Sequence, residues 1–403
     1  MVVGSLYLTR AFGFYRLPLL VVCFILIVVY LIRQRTIKLD IYAVAPILFV
    51  MFGSLLWSLW GVVNGNSSQA AIDTLRLFFI FYILYSAMTI YASKSVVYSQ
   101  VELVFCIATL FIAITSFIAI YNFDILPVSF RDSLEIRIGI HDGYIQNTSH
   151  NIGMLALTVP YLLTLIIYKK SYRNFLVNIT AFVGVAAILL SSRRAIYFVI
   201  LVVPLIVLFL HVFSMPNPMV KLQRIVGSIA VLIVALLMVI FLVYNLYPNI
   251  LESFLDRIIE AVNQINNQSH NLSERKLQTD ALLKGVSELP FFGSGFGGVT
   301  TIARNDNAWV YEMSYHALLF NIGFFGFCVF LFLLAIQFYR IMFLIKRYDI
   351  ENKYQCIALM CGVISMYILS YSNPYISSSF DFLIVNFILP FIILKEVNEV
   401  YEN

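Results

Sequence analysis

Eleven long apolar runs succeed one another along this chain, at residues 17–32, 41–63, 73–91, 101–121, 151–168, 175–190, 195–213, 225–247, 314–343, 354–371 and 376–394. A helix needs about 17–25 such residues to cross a ~30 Å hydrocarbon core, so most of the runs are of spanning length. The chain is 61% hydrophobic and 12% charged, about half the charge of an ordinary soluble domain. The expected fold is all-α, a polytopic integral membrane helix bundle of about eleven transmembrane helices, or twelve if residues 1–13 also cross. The first run reaches Ile32 with no small-residue cleavage site before a polar segment, so the first strongly apolar helix would itself direct insertion. The five cysteines, Cys23, Cys106, Cys328, Cys356 and Cys361, all lie in apolar runs. They read as small hydrophobes, with no spacing that suggests a metal site or a disulfide framework.

Between the eighth and ninth runs lies one polar loop, residues 248–312, the only stretch large enough to build a water-facing site. The organisation expected is therefore residues 1–247 as N-terminal transmembrane helices, 248–312 as a large helical outer loop, and 313–403 as three C-terminal spans with a short tail. Short basic connections set orientation, because Lys and Arg are retained on the cytoplasmic side. Arg33, Arg35 and Lys38, Lys94, Lys169, Lys170 and Arg173, Lys221 and Arg224, Lys346, Arg347 and Lys353, and Lys395 mark one side. The loops richer in Asn, Ser, Gly, Asp and Glu, the large one included, fall on the other. The alternation holds for every span and leaves the C-terminus in the cytoplasm.

Within the large loop, Leu251, Phe254, Leu255, Ile258, Ile259, Val262 and Ile265 recur at three- and four-residue spacing, as on an amphipathic helix. A second such helix is expected after Ser273. Glu274 and Arg275 would lie in its first turn, Leu277, Ala281, Leu282 and Val286 on its apolar face, and Pro290 at its end. Helices of this kind lie on a membrane surface or cap a bundle.

Four groups are candidates for chemistry. Arg193 and Arg194, in Ser191-Ser192-Arg193-Arg194-Ala195, join two spans with almost no loop on the side where basic residues are scarce. A charge near the bilayer centre costs ~2.5–3.5 kcal/mol on insertion scales, so such arginines snorkel, pair or bind something. Arg76, a turn into the third span after Asp73, is similar. A guanidinium stays charged and engages two phosphate oxygens at once. The second group is Phe292-Gly293-Ser294-Gly295-Phe296-Gly297-Gly298. It suits either a turn whose amides approach an anionic or sugar ligand, or a plain helix-ending turn. No Gly-Lys-Ser/Thr follows it, which argues against nucleotide binding. The third is Arg304, Asp306, Trp309, Glu312, Tyr315 and His316. Glu312 and His316, four apart, are expected on one helix face, where either could take a proton from a sugar hydroxyl. An acid in a first helical turn is also ordinary capping, and His316 also suits a satisfied polar residue at a helix end. Trp309 and Tyr311 could stack on sugar rings, though interfacial aromatic belts explain them equally well. Last, Arg131, Asp132, Glu135, Arg137, His141, Asp142 and His150 add polar groups before the fifth span in a spacing that matches no metal site, and Asp381, inside the last span near its outer end, is a further buried-acid candidate.

Taken in order, these pieces resemble the O-antigen ligase/polymerase superfamily of bacterial envelope glycan assembly. Ser192-Arg193 resembles the family's Ser-Arg turn, and Arg275 its loop arginine. Pro290-Phe291-Phe292-Gly293-Ser294-Gly295 resembles its Pro-x-x-Gly-x-Gly element. Glu312 through Gly326, closing on Asn321-Ile322-Gly323-Phe324-Phe325-Gly326, resembles the helix that follows. The resemblance covers the C-terminal two-thirds of the chain.

The resemblance implies a metal-independent glycosyltransferase that needs no cofactor and works at the periplasmic face of the bacterial inner membrane. Its donor would be an undecaprenyl-diphosphate-linked oligosaccharide, its surroundings membrane lipids, and its protein partner a chain-length regulator; no nucleic acid enters. In ligases a histidine stands about eleven residues before the first glycine of Gly-x-x-Gly. Counting back from Gly323 reaches Glu312 here, which favours the polymerase branch, an enzyme joining one lipid-linked repeat to another. Arg193, Arg194 and Arg275, with Arg76 and Arg304 in reserve, would stabilise the departing diphosphate. Glu312 or His316 would be the base, with Trp309, Tyr315 and Asp306 on the glycan. The alternatives are a ligase moving glycan to lipid A-core and, from another class, a transporter or lipid flippase.

Overall fold

The computed structural model describes residues 21–22, 24–30, 32, 38–121, 127–133, 138–141, 144–147, 150–191, 193–215, 218–246, 270–302, 308–348, 350, 352–371, 373 and 381–402. In chain order these form α1 (Ile41–Val63), α2 (Ser68–Leu75), a π-helical stretch (Arg76–Phe81), α3 (Tyr82–Ser95), α4 (Tyr98–Tyr121) and α5 (Val128–Ser133). A hairpin follows, of β1 (Ile138–His141) and β2 (Tyr144–Asn147), then a 3-10 turn (His150–Met154). The rest comprises α6 (Leu155–Tyr168), α7 (Asn174–Leu190), α8 (Arg194–Ser214), α9 (Pro218–Leu246), α10 (His270–Glu288), α11 (Ser314–Tyr348), α12 (Lys353–Leu369) and α13 (Asp381–Glu402).

The protein is α-helical and of membrane type. Among the described residues, five helical stretches are long and apolar enough to cross a bilayer: Ile41–Val63, Ser68–Ser95, Tyr98–Ile120, Ala195–Ser214 and Ser314–Tyr348. Four further apolar helices are shorter, at 10–17 residues. On α8, Phe198, Leu201, Leu205 and Phe209 are all exposed at three- and four-residue spacing. A continuous apolar stripe of this kind faces lipid rather than water.

The chain divides into two units. The first draws its described residues from 96–266 and 345–368. Its centre is α6, where every residue from Leu155 to Leu165 is buried, as expected of a helix apolar all round. Helices α4, α6 and α7 meet at Gly184, where a Cβ would lie 2.7 Å from Val159 and 2.8 Å from Thr109. There the Thr109 hydroxyl donates to Thr158 at 2.8 Å. At one end of this unit Glu102, with no exposed surface, accepts from Ser171 Oγ (2.9 Å), Tyr172 N (3.0 Å), Arg173 N (2.8 Å) and Gln355 Nε2 (3.2 Å). A buried carboxylate is tolerated when its oxygens are filled in this way, and this one fixes the turn between α6 and α7.

The hairpin is the exception to an all-helical reading. Its strands pair antiparallel from Ile138↔Asn147 to His141↔Tyr144.

The second unit draws its described residues from 19–95, 267–344 and 369–403. Asp40 caps α1 by accepting from Tyr42 N at 2.8 Å, while its other oxygen takes Arg340 at 2.7 and 3.1 Å. The helical run from Ser68 passes through the π-helical stretch to Ser95, so Arg76 lies inside the run rather than at its start. Helix α11 is broken at Gly323, whose φ of 64° and ψ of −178° belong to glycine alone.

Candidate functional site

The entry to α11 is built by α10. Leu282 and Val286 pack with Tyr311, Met313, Ala317 and Phe320 into one buried cluster, and Gly285 lets the Phe320 ring lie directly on α10. Helix α10 begins at His270 rather than after Ser273, which puts Arg275 in its second turn instead of its first. Its buried face also differs from the expected one. Leu277 is 52% exposed, while the polar Gln278 beside it is fully buried.

The reason lies across the cluster. Gln278 Oε1 accepts from the main-chain N–H of Glu312 at 3.1 Å, and Arg275 Nε reaches Glu312 Oε2 at 3.2 Å. One face of α10 thus holds Glu312 by both backbone and side chain. Glu312 itself stands ahead of α11, which starts at Ser314. The expectation that Glu312 and His316 share a helix face is therefore corrected: the carboxylate sits on the bend that leads into the helix. The pair is part-exposed, at 44% for the arginine side chain and 26% for the glutamate. An ion pair so placed is worth about 0–1 kcal/mol and opens readily to a better anion.

His316 lies in the first turn of α11, and its Nδ1 is buried with no hydrogen-bond partner among the described residues. Its ring lies edge-on to Tyr371 at 6.2 Å. Trp309 and Tyr315 are half-buried on either side of Glu312 in the sequence. Tyr311 donates to Gly298 O and accepts from Thr300 N, both at 2.9 Å, which anchors this bend to the glycine-rich segment. Burial raises the Tyr311 phenol above its ordinary pKa, an effect the Thr300 hydrogen bonds partly offset.

In that segment the N–H groups from Gly293 to Phe296 are taken up by the protein itself, which suits the plain turn of the two readings the sequence leaves open. The N–H of Gly293 donates to Leu289 O, Ser294 to Phe320 O, Gly295 to Asn321 O and Phe296 to Trp57 O, all at 2.9–3.0 Å. In return, Phe324 N and Phe325 N, which the break at Gly323 frees from the helix, donate to Pro290 O (2.8 Å) and Phe291 O (3.1 Å). The loop and the broken helix thereby exchange four backbone hydrogen bonds. Backbone at membrane depth must find partners inside the protein, and here the loop provides them.

The remaining carbonyls are covered from α1 and the turn after it. Trp57 Nε1 donates to Phe292 O at 2.9 Å, Trp60 Nε1 to Gly293 O at 3.0 Å, and Asn66 Nδ2 to Ser294 O at 2.9 Å. The glycines are required by contact as well as by conformation. A Cβ on Gly295 would lie 2.3 Å from Gly61 Cα, and one on Gly293 2.5 Å from Phe320 O.

Of the other expected site residues, Arg193 and Arg194 belong to the first unit and Arg76 to the second, while Arg304 and Asp306 fall outside the described residues. Arg193 is half-buried in the first unit, where its Nε donates to Asn147 O at 3.2 Å and Asn147 N donates to Ser191 O at 3.3 Å. Ser191 and Arg193 are thus fastened to strand β2 of the hairpin. Arg194 opens α8. Arg76, in the second unit, is exposed, with its guanidinium 5.9 Å from the Phe81 ring centroid. The first loop helix, expected at residues 251–265, also falls outside the described residues. Of the expected set, Arg275 and Glu312 are brought into direct contact. Among the described residues, no group of three or more His, Cys, Asp or Glu side chains could hold a metal ion.

Sequence reasoning passed over Gln278 and the Trp57, Trp60 and Asn66 clamp. The available signals were the three-residue step from Arg275 to Gln278 and the pairing of two of the chain's three tryptophans one turn apart. Compared with known proteins, the chain matches no protein-family model, and no curated protein is similar enough to count as a relative.

Proposed function

We propose that the protein is a membrane glycosyltransferase that polymerises a surface polysaccharide such as O-antigen, moving an undecaprenyl-diphosphate-linked glycan onto another lipid-linked repeat. In this reading it crosses the bacterial inner membrane about eleven times and works at the periplasmic face. The observation that carries the reading is that three of the four motifs resembling the polymerase family lock together in one unit. Arg275 holds Glu312, and Pro290 to Gly295 fills the break at Gly323.

The chemistry follows from that arrangement. An arriving diphosphate competes with Glu312 for Arg275, and a part-exposed pair yields to a doubly charged anion. Freed from Arg275, Glu312 can accept the proton of the acceptor hydroxyl, with His316 the second candidate. The hydroxyl oxygen bonds to the anomeric carbon as the carbon–oxygen bond to the diphosphate breaks. The bonding pair leaves with the diphosphate, whose growing charge Arg275 stabilises, with Arg76 and Arg304 in reserve. Trp309, Tyr315 and Asp306 would contact the sugars, and a chain-length regulator would be the protein partner.

The break in α11 favours one other reading, since interrupted helices mark many transporters. There the half-helix ends face a ligand, whereas the groups freed at Gly323 are taken up by the protein's own loop. Deleting the gene separates the possibilities. Loss of a polymerase leaves single repeats on the lipid A-core, loss of a ligase leaves bare core, and loss of a flippase strands lipid-linked units in the cytoplasmic leaflet. Only the first outcome sustains the proposal.

A further inference from the structure

Arg275, Gln278, Leu282 and Val286 follow one another along α10 at three- and four-residue steps, on the face that meets the entry to α11. Leu282 and Val286 pack in the buried cluster there, and Arg275 is paired with Glu312. Gln278 is the anomaly. It is fully buried, and its Oε1 takes the Glu312 N–H at 3.1 Å, yet its Nε2 has no hydrogen-bond partner among the described residues. Turning the amide over does not cure this, because only the oxygen can accept the N–H. A buried donor left without an acceptor is destabilising, and leucine or methionine would fill the same space without that cost. A group that weakens the resting fold at a candidate site points to a contact made in another state.

The acceptor that suits this donor belongs to the residue Gln278 already holds. Nε2 and Oε1 are bonded to one carbon, so the amide nitrogen lies next to the contact with the Glu312 main chain. The Glu312 carboxylate is meanwhile drawn to Arg275, with Oε2 at 3.2 Å from Nε. We propose that Gln278 is a positioning residue that receives the Glu312 carboxylate when an anion takes Arg275. One carboxamide then grips Glu312 at two points, its oxygen on the N–H and its nitrogen on the carboxylate. The inference rests on the reading under Proposed function, in which that anion is a diphosphate and the displaced carboxylate becomes the base. No covalent bond changes in the step: the carboxylate exchanges one donor for another. The exchange keeps the carboxylate from returning to Arg275, and the oxygen not engaged by Gln278 stays open to accept a proton.

The test is a double-mutant cycle read by binding of inorganic pyrophosphate to the full-length protein in detergent, measured by isothermal titration calorimetry. The four proteins are the wild type, Gln278→Met, Glu312→Ala and the double variant. Methionine keeps the length of the side chain and removes both polar atoms. In the wild type the receiving bond offsets part of the loss of the Arg275–Glu312 pair. Gln278→Met should therefore weaken pyrophosphate binding about tenfold, near the lower end for a hydrogen bond to a charged group. In the Glu312→Ala background the same change should have no effect, since no carboxylate is left to receive. A role confined to the main-chain N–H, which alanine retains, or to the packing of α10 would weaken binding equally in both backgrounds. Equal penalties, no penalty in either background, or no pyrophosphate binding by the wild type overturns the proposal. If the reconstituted protein builds glycan chains while the penalties are equal, the receiver fails and the function stands. If the penalties differ as expected but a deletion strain keeps its long glycan, the function fails and the receiver stands.

Discussion

Replacing Gly323 by alanine would strike the point where loop and helix hold each other. The glycine's φ of 64° and ψ of −178° are essentially closed to other residues, and holding a side chain there costs about 1–3 kcal/mol. The added Cβ would also lie 2.3 Å from Phe291 O and 2.5 Å from Gly293 N, so the loop backbone must withdraw. If withdrawal loses two of the four exchanged hydrogen bonds, each worth about 0.5–1.5 kcal/mol net, the total reaches about 2–6 kcal/mol. Whole domains are stable by about 5–15 kcal/mol, so Gly323→Ala should lower the thermal midpoint of the detergent-solubilised protein by several degrees, read by loss of the monodisperse peak after heating. Gly227→Ala is the control. Gly227 has nothing within 4 Å of an added Cβ and lies within helix α9, where alanine is preferred by about 0.5–1 kcal/mol. A Gly323→Ala protein that melts with the wild type would refute the interlock as a source of stability.

Three further outcomes follow from the same geometry. Glu102→Gln turns an amide N–H₂ toward donors that now meet a carboxylate, and each buried donor left facing it costs about 1–3 kcal/mol; heat inactivation should show the loss, and unchanged stability would count against the buried clamp. Tyr311→Phe removes the hydroxyl that joins Gly298 O to Thr300 N, a loss of about 1–3 kcal/mol by the same measurement. Leu282→Ala should cost about 2–5 kcal/mol while Leu277→Ala stays near neutral, because the first is fully buried and the second 52% exposed; equal melting points would contradict the face assigned to α10.

Hydropathy located the helices well because bilayer thickness and backbone hydrogen bonding leave an apolar run little choice. Helix α1 occupies the same residues, 41–63, as the apolar run, and α8 differs from its run by one residue at each end. Where the backbone leaves regular helix, periodicity gave no warning. The Gly-x-x-Gly of α11 reads as an uninterrupted span, and its break shows only once residues 290–295 are seen to complete it. The glycine-rich segment left two readings open for a related reason: positive φ and close approach serve a backbone crossing as well as a phosphate cradle, and only the occupied amides tell them apart. Leu277 and Gln278 exchanged their expected places because a buried acceptor for the Glu312 N–H outweighed one leucine. The proximity of Arg275 and Glu312, 37 residues apart, is a tertiary fact that spacing does not contain.

The central claim is that Arg275 and Glu312 together transfer glycan from a lipid diphosphate, and a reconstituted reaction addresses it directly. Purified protein in liposomes, supplied with the strain's own lipid-linked repeat unit, should build a ladder of lengthening chains on a gel. Arg275→Ala and Glu312→Gln, each still monodisperse, should slow that ladder by about 10²–10³-fold, the usual effect of losing a well-aimed transition-state contact. A full-rate ladder from either variant, or none from the wild type, would contradict the account.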